Sequence, residues 1–251
     1  MATPDASPAL VGISHGTSSP TGRLAVASLM AAVAAARPDL TTASGLVDVQ
    51  QPDVALTLAS LDTAEHSPAS AVVVPLLLSA GYHVHVDLHE AVRDRAGFAT
   101  LARALGPDPR LAELQHHRLE EAGLLPDDVV VVAAAGSSDA RAVAECQSAA
   151  ALLATRLGRP VTVGFLSAST PTLAEAITAA RTASPGSRIV VSSYLLAPCY
   201  FQSIVENAGA DVVTAPLLAA GLPAPRQLVD IVCERYSTAL LYRAAAVLTS
   251  V

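Results

Sequence analysis

Residues 72–87 of the chain read VVVPLLLSAGYHVHVD, and this stretch decides the expected fold. It begins as an apolar run of strand length, and the run ends at the small residues 79–81. The chain then enters a segment that carries His83, His85 and Asp87. In parallel α/β proteins, the polar groups that bind ligands follow buried strands in this way, at the carboxyl ends of the strands. The stretch therefore predicts a buried strand that leads into a functional site.

Strands and helices are expected to alternate on both sides of this stretch. In the first half we expect strands at 9–14, 41–49, 71–78 and 99–105, and helices at 23–37, from Pro52 onward, at 84–95 and at 111–122. Strands that alternate with helices of about a dozen residues form βαβ units, because parallel strands need a long crossover between them. The pattern predicts an α/β fold with a parallel sheet.

The same order begins again after the segment 123–128. Residues 129–138 echo 10–19, residues 164–171 echo 45–52, and residues 188–201 echo the opening stretch. A fixed spacing between such echoes is the sequence signature of a structural repeat. We therefore expect two tandem domains, residues 1–123 and residues 124–251, each with a roughly four-stranded parallel sheet flanked by helices.

The two repeats differ at the candidate ligands. All seven histidines of the chain lie in the first repeat. The equivalent positions pair His15 with Ala135, Asp48 with Ser167 and His83 with Phe201. A shared scaffold needs the small turn residues, which both repeats keep, but it does not need the histidines. The asymmetry indicates a functional site in the first repeat.

Three of these side chains are expected at one edge of the first sheet. His15 and His83 follow the first and third strands, and Asp48 ends the second. Neutral imidazole binds a divalent metal or accepts a proton near pH 7. Two imidazoles and a carboxylate suit iron, cobalt or nickel. The alternative for each histidine alone is a hydrogen-bonded turn residue without a ligand.

Composition and charge exclude several classes of function. The net charge is −7 and the pI is about 5.4, so nucleic acid and anionic membranes are not expected as partners. No segment has the roughly 20 apolar residues of a membrane span, and the first residues lack the order of a signal peptide, so we expect a cytoplasmic protein. The three cysteines, Cys146, Cys199 and Cys233, are widely spaced and predict neither disulfides nor a zinc site.

The first repeat resembles the class II sirohydrochlorin chelatases of the CbiX and SirB type. The resemblance lies in HGTS at 15–18, GLVD at 45–48 followed by QP at 51–52, PLLLSAGYH at 75–83 with Asp87 beyond it, and LGPD at 105–108. It implies two Rossmann-like (chelatase-like) domains that face each other across a cleft. It also implies a lyase that inserts Co²⁺ or Fe²⁺ into sirohydrochlorin, an anionic tetrapyrrole, in siroheme or cobalamin biosynthesis, with Ni²⁺ a further candidate metal. His15 and His83 are then the metal-binding pair, the catalytic residues are His15, His83 and Asp48, and the protein is a monomer or homodimer.

Several details extend or limit this resemblance. The family commonly has Glu where this chain has Asp48, which is one methylene shorter. His85 and His89 are additional, and their spacing puts them on one face of a helix, either as a second metal site or as a solvated face. Arg23 is a candidate for binding the carboxylate arms of the substrate. Tyr200 and Phe201 are expected either to line the cleft or to pack in the core.

Three other functions compete with the chelatase interpretation. A non-catalytic metal carrier would use the same histidines without a tetrapyrrole cleft. A histidine phosphatase would need Arg directly before His15, where this chain has Ser14. A dinucleotide-binding enzyme would need GxGxxG after the first strand, and an ATP-dependent chelatase would need a GxxxxGK[ST] loop; neither motif is present, so no ATP is expected.

Overall fold

The computed structural model describes residues 7–47, 51–62, 70–79, 81–95 and 97–249. The first half contains β1 (Ala9–Ser14), α1 (Pro20–Ala36), β2 (Thr42–Leu46), α2 (Val54–Asp62), β3 (Ala71–Pro75), α3 (Tyr82–Arg93), β4 (Ala99–Leu101) and α4 (Pro109–Glu121). The second half contains β5 (Val129–Ala134), α5 (Ala140–Leu157), β6 (Val161–Phe165), α6 (Leu173–Ala183), β7 (Ile189–Tyr194), α7 (Tyr200–Glu206), β8 (Val212–Val213) and α8 (Arg226–Thr249).

The strands form two parallel four-stranded sheets with the same topology. The orders are β2-β1-β3-β4 and β6-β5-β7-β8, and every neighbouring pair is parallel. The predicted fold class, two repeated α/β units with parallel sheets, is confirmed. The central strands β1, β3, β5 and β7 are buried or nearly so along their whole length, which explains their continuous apolar runs.

The main differences from the predicted elements lie at their ends. β3 ends at Pro75 and not at residue 78, and α3 begins at Tyr82 because Gly81 takes the extended conformation of an N-cap. β4 stops at Leu101, since residues 102–105 continue beside β3 as a loop. In the second half, the last helix, α8, runs from Arg226 to Thr249 and is the longest of the described helices.

The last helix of each half packs on the sheet of the other half. α4 contacts β7 and α5, whereas α8 contacts β3, β4 and α1. Hydrogen bonds accompany this exchange: Gln115 of α4 donates to the Ser192 hydroxyl at 3.0 Å, and the Tyr236 hydroxyl of α8 donates to the Pro8 carbonyl at 2.6 Å. The ranges 1–123 and 124–251 therefore describe sequence repeats whose terminal helices are exchanged in space.

Helix exchange makes the apolar core continuous between the halves. One cluster of buried side chains joins the inner face of the first sheet, through residues such as Leu10 and Val72, with that of the second, through Val130 and Val190. Two smaller clusters fill the outer faces, one under α2 and α3 and one under α6 and α7. Within the described ranges no helix is both long and apolar enough to span a membrane.

A buried ion-pair cluster, which we call the Asp108 clamp, also ties the halves together. The Asp108 carboxylate caps α4 and accepts hydrogen bonds from Arg110 at 2.8 and 2.9 Å. It also accepts one from Arg235 of α8 at 2.9 Å. The Arg235 guanidinium donates further to the carbonyls of Ala104 and Leu105, both at 2.9 Å. The clamp fixes the loop after β4 to the helix that covers the first sheet.

Candidate active site

The strand register places the three predicted site segments at one edge of the first sheet. β1 lies between β2 and β3, with Ser14 paired to Leu46 and Ile13 paired to Pro75. The ladder continues past the strand ends, because Val47 N–H donates to the Ser14 carbonyl at 2.9 Å and Leu76 N–H to the Ile13 carbonyl at 2.7 Å. The carboxyl ends of these strands therefore meet, as expected for a ligand site in a parallel sheet.

His15 lies directly after β1 with an exposed side chain. The next residue, Gly16, has φ of +88°, and its counterpart Gly136 has the same value, so this turn belongs to the shared scaffold. The turn is braced from α1: Ser19 caps the helix, and Arg23 donates to the carbonyls of Thr17 and Ser18 at 3.2 and 2.9 Å. His15 is thus an accessible imidazole on a well-supported turn.

The other two members of the predicted trio are only partly described. Asp48 lies outside the described residues, directly after Val47 at the end of β2. His83 lies in the first turn of α3, and the structure describes its backbone but not its side chain. Their side-chain roles therefore stay predictions. Among the described residues, no three His, Cys, Asp or Glu side chains lie close enough to hold a metal, but that set leaves out Asp48 and the His83 imidazole.

The additional residues of α3 divide into two groups. The His85 side chain is outside the described part, so the predicted pairing of His85 with His89 stays a prediction. His89 and Asp87 are exposed, and His89 lines a cavity beside the end of β3. The two histidines of α4, His116 and His117, are not candidates for the site, because each lies near a glutamate of the same helix. These two belong to the helix that packs on the second half.

The second half holds the loop that leads to His83. The Tyr194 hydroxyl at the end of β7 donates to the Leu78 carbonyl at 3.3 Å. Tyr194 is buried, and burial raises the pKa of its hydroxyl, so it stays protonated as a donor. Ser79 hydrogen-bonds the Cys146 thiol of α5, whose pKa is raised by burial. Gly106 leaves the space for this contact, because a Cβ there would overlap both the Tyr194 hydroxyl and the Leu78 carbonyl.

Tyr194 was not among the predicted site residues, although the repeat contained a signal for it. The ladder bonds of Leu77 and Leu195 are equivalent, so Tyr194 stands where the first half has Leu76. Both side chains are buried in the same core cluster. Only the second half adds a hydroxyl, and that hydroxyl reaches across to the histidine-bearing loop of the first half.

Backbone segments of the two halves also meet beside the site. A Cβ on Gly22, in the first turn of α1, would overlap the Pro198 carbonyl of the loop after β7. A Cβ on Gly81, before α3, would lie 3.3 Å from the Ser137 hydroxyl oxygen in the loop after β5. The loops that follow the central strands of both sheets therefore face each other, and the site opens between the halves.

The aromatic pair of the second half is divided between the core and the surface. Tyr200 and Phe201 begin α7, with ring centroids 6.3 Å apart. Phe201 packs against the outer core cluster of the second half, which agrees with the core alternative. Tyr200 is 72% exposed and lines a groove with residues of α6.

Comparisons with known proteins agree with the two-repeat architecture. The CbiX family model matches the chain twice, at residues 9–122 and at residues 129–238. Among solved structures, the chain is similar to SirB from Bacillus subtilis with Fe³⁺, with a TM-score of 0.76 at 19% identity over 91% of this chain and 95% of that one. No curated protein matches the sequence.

Two further solved structures share the fold. The sirohydrochlorin chelatase SirB from Bacillus subtilis subspecies spizizenii in complex with cobalt gives a TM-score of 0.71 at 15% identity, over 92% of this chain and 94% of that one. A multi-domain protein from Deinococcus radiodurans with structural similarity to chelatases gives 0.62 at 17% identity, over 92% of this chain and 54% of that one. At these identities the likeness establishes the fold.

Proposed function

Because this chain belongs to the CbiX family, we propose that it inserts cobalt or ferrous iron into sirohydrochlorin. The family consists of sirohydrochlorin metal chelatases, so the chain is a metal chelatase and hence a lyase. One observation supports the site most strongly. Three neighbouring parallel strands end at one edge of the first sheet, and they are followed by the exposed His15, by the segment that leads to Asp48 and by the loop that leads to His83.

The proposed reaction exchanges two protons for one metal ion. His15 and His83 hold the divalent metal on one face of the ring until the pyrrole nitrogens replace the imidazoles. Two pyrrole N–H bonds break during this exchange, and Asp48 or a released imidazole accepts the protons. The product is the metal complex plus two protons, and no nucleotide takes part. The rate comes from holding the ring and the metal together and excluding water between the halves.

The donor set limits the metal to the first-row divalent ions that bind nitrogen and oxygen. Fe²⁺, Co²⁺ and Ni²⁺ all fit, and the structures similar to this chain were solved with Fe³⁺ and with cobalt. We infer that Co²⁺ and Fe²⁺ are both substrates in vitro. The relative rates with each ion are then the measure that assigns the chain to cobalamin or siroheme synthesis.

An anaerobic absorbance assay tests the proposal directly. Metal-free sirohydrochlorin is mixed with the protein and Co²⁺, Fe²⁺ or Ni²⁺, and the spectral change of metal insertion is followed. His83→Ala should lower the insertion rate by roughly 100-fold or more, because even the loss of a residue that only supports a metal ligand costs about 10- to 100-fold. The control is His117→Ala, a half-exposed histidine on α4, which should insert metal at the wild-type rate.

Two results would contradict the proposal. Normal insertion by the His83→Ala variant would show that this imidazole does not handle the metal. A wild-type protein that binds cobalt yet leaves the sirohydrochlorin spectrum unchanged would instead be a metal carrier.

A further inference from the structure

A cavity opens at the carboxyl edge of the first sheet, between α3 and the end of β4. Its volume is about 310 Å³. The cavity is lined from the first half by Leu77 after β3, by Leu88 and His89 of α3 and by Arg103 after β4. From the second half it is lined by Glu145 of α5. The cavity therefore lies between the halves, at the sheet edge that also carries the candidate metal site.

Arg103 lies two residues beyond β4, in a loop beside the end of β3. Ala102 N–H donates to the Val73 carbonyl at 2.8 Å and Leu105 N–H to the Leu77 carbonyl at 2.9 Å, so the loop that carries Arg103 runs along the end of β3. Parallel strands are about 4.8 Å apart, and β4 lies two strands from β1. The loop after β4 and the turn after β1 are thus about 10 Å apart in the direction across the strands.

The guanidinium of Arg103 is available to a ligand. Its side chain is exposed, and within the described ranges it makes no hydrogen bond or ion pair. Other arginines near this edge are engaged: Arg23 braces the His15 turn, and Arg110 and Arg235 bind Asp108. Glu145, the acidic residue of the cavity wall, has an interaction of its own. On a chain of net charge −7, Arg103 gives this edge a free positive charge.

Comparison of the repeats shows that the scaffold does not need this arginine. Ala102 N–H donates to the Val73 carbonyl at 2.8 Å, as Thr214 N–H donates to the Val191 carbonyl at 2.9 Å. Position 103 is therefore equivalent to Ala215, which continues the same loop without a charged side chain. Arg103 shares with His15 and His83 the property of being replaced by a non-ligating residue in the second repeat.

We propose that Arg103 binds a carboxylate at the rim of the tetrapyrrole while the ring centre faces His15 and His83. This inference rests on the proposed function and names the residue that recognises the substrate. A guanidinium binds a carboxylate through two parallel N–H···O bonds, which fixes direction as well as position. Arg103 therefore sets the rotation of the ring in the cleft, and the apolar wall formed by Leu77 and Leu88 covers the arm that carries the carboxylate.

The test measures binding of metal-free sirohydrochlorin, so that it does not depend on insertion. Arg103→Met keeps the length of the side chain and removes its charge, and we expect Kd to rise about 10- to 100-fold, the size of a lost charge-assisted hydrogen bond. Arg103→Lys should recover part of the affinity. The matched control is Arg156→Met on α5, another exposed arginine, which should leave Kd unchanged. Thermal unfolding should be the same in all variants.

A second ligand separates the carboxylate contact from a general loss of packing. Sirohydrochlorin with methyl-esterified carboxylates should bind the wild type and the Arg103→Met variant with equal Kd. Equal Kd values of the Arg103→Met and Arg156→Met variants for the free acid would overturn the inference, as would a wild type that does not bind the ring. A wild type that binds the ring but inserts no metal would overturn the proposed insertion reaction alone, because the Kd ratio still decides the role of Arg103.

Discussion

The Asp108 clamp offers the sharpest test of how the halves are held together. The change is Asp108→Asn, which removes the negative charge but keeps an oxygen that can cap α4, since Asn and Asp are equally good N-caps. The Asp108 side chain is 7% exposed and that of Arg235 13% exposed, so the ion pair is largely shielded from water. The substitution leaves the Arg235 guanidinium with only Glu234, at 3.1 Å, as an anionic partner.

The expected cost follows from this burial. Breaking a buried ion pair from one side costs about 3–5 kcal/mol. Arg110 is more exposed than Arg235, and both keep Glu234 as a partner, at 2.8 and 3.1 Å, so the loss should lie below this range, at about 2–3 kcal/mol. For a chain of this size 1 kcal/mol corresponds to about 2–4 °C, so Tm should fall by about 5–10 °C. Because the core is continuous between the halves, a single unfolding transition is expected.

The chain supplies a matched control in Asp39→Asn. Arg37 binds Asp39 with the same spacing in sequence and nearly the same distances, 2.9 and 2.8 Å, as Arg110 binds Asp108. The Asp39 side chain is 55% exposed, against 7% for Asp108, so the loss of its charge should change Tm far less. Equal shifts of Tm for the two variants, measured by circular dichroism at pH 7, would show that burial and Arg235 add nothing.

The pH dependence gives a second check on the Asp108 clamp. Burial acts to raise the pKa of Asp108, but the hydrogen bonds from Arg110 and Arg235 outweigh it and hold the pKa below its ordinary value. A carboxyl whose pKa is lowered on folding stabilises the fold above its unfolded pKa, which is about 3.9, and loses that contribution as the pH falls through the folded pKa. The Tm gap between wild type and the Asp108→Asn variant should be full at pH 7 and should close below about pH 4. A gap that stays constant down to pH 3 would refute the ionic origin of the effect.

Two further substitutions test contacts between the halves. Tyr194→Phe removes the hydrogen bond to Leu78, so the insertion rate should fall severalfold at a stability cost of about 0.5–1.5 kcal/mol. The control, Tyr236→Phe, removes a hydrogen bond far from the site and should lower Tm without lowering kcat. Equal kcat values for the two variants would show that Tyr194 does not position the loop that leads to His83. Gly22→Ala drives a methyl group into the Pro198 carbonyl and should cost about 1–3 kcal/mol in urea unfolding. Gly81→Ala should cost less, because its methyl group would meet only the Ser137 side chain, at 3.3 Å from the hydroxyl oxygen, and not backbone. Equal losses of unfolding free energy in the two variants would mean that the halves pack less closely at Gly22 than the structure shows.

The fold could be predicted because its signals are local. β1 has the bounds that its apolar run predicts, and the repeat predicted that both sheets have the same architecture. The exchange of α4 and α8 could not be predicted in the same way. An amphipathic helix shows that it buries one face, but the sequence does not say which of two similar sheets that face will cover. The choice depends on long-range contacts such as Tyr236 with Pro8.

The candidate site was predictable where a residue follows a strand. His15 could be placed because β1 is unambiguous, and the register then brings the other strand ends to it. Comparison of histidines between the repeats was less informative than expected, since His116 and His117 pair with glutamates on α4. Comparison of single positions carried more information. It singles out Tyr194 against Leu76 and Arg103 against Ala215. The Tyr194 hydroxyl binds the Leu78 carbonyl of the other half, and Arg103 lines the cavity opposite Glu145.

Helix exchange also gives a physical reason why the second repeat keeps its fold without keeping any ligand. The inner face of the first sheet is covered by α8, and Arg235 and Tyr236 of that helix bind the loop after β4 and the chain before β1. Any loss of structure in the second half would therefore uncover the core beneath the candidate site. Ala135, Ser167 and Phe201, the counterparts of His15, Asp48 and His83, take no part in that support. Ala135 and Phe201 pack on the outer cluster of the second half, and the Ser167 hydroxyl donates to the Ala135 carbonyl. The second repeat is thus constrained where it supports the first and is released from that constraint at the counterparts of the candidate ligands, and an asymmetric candidate site on a symmetric scaffold follows from that division.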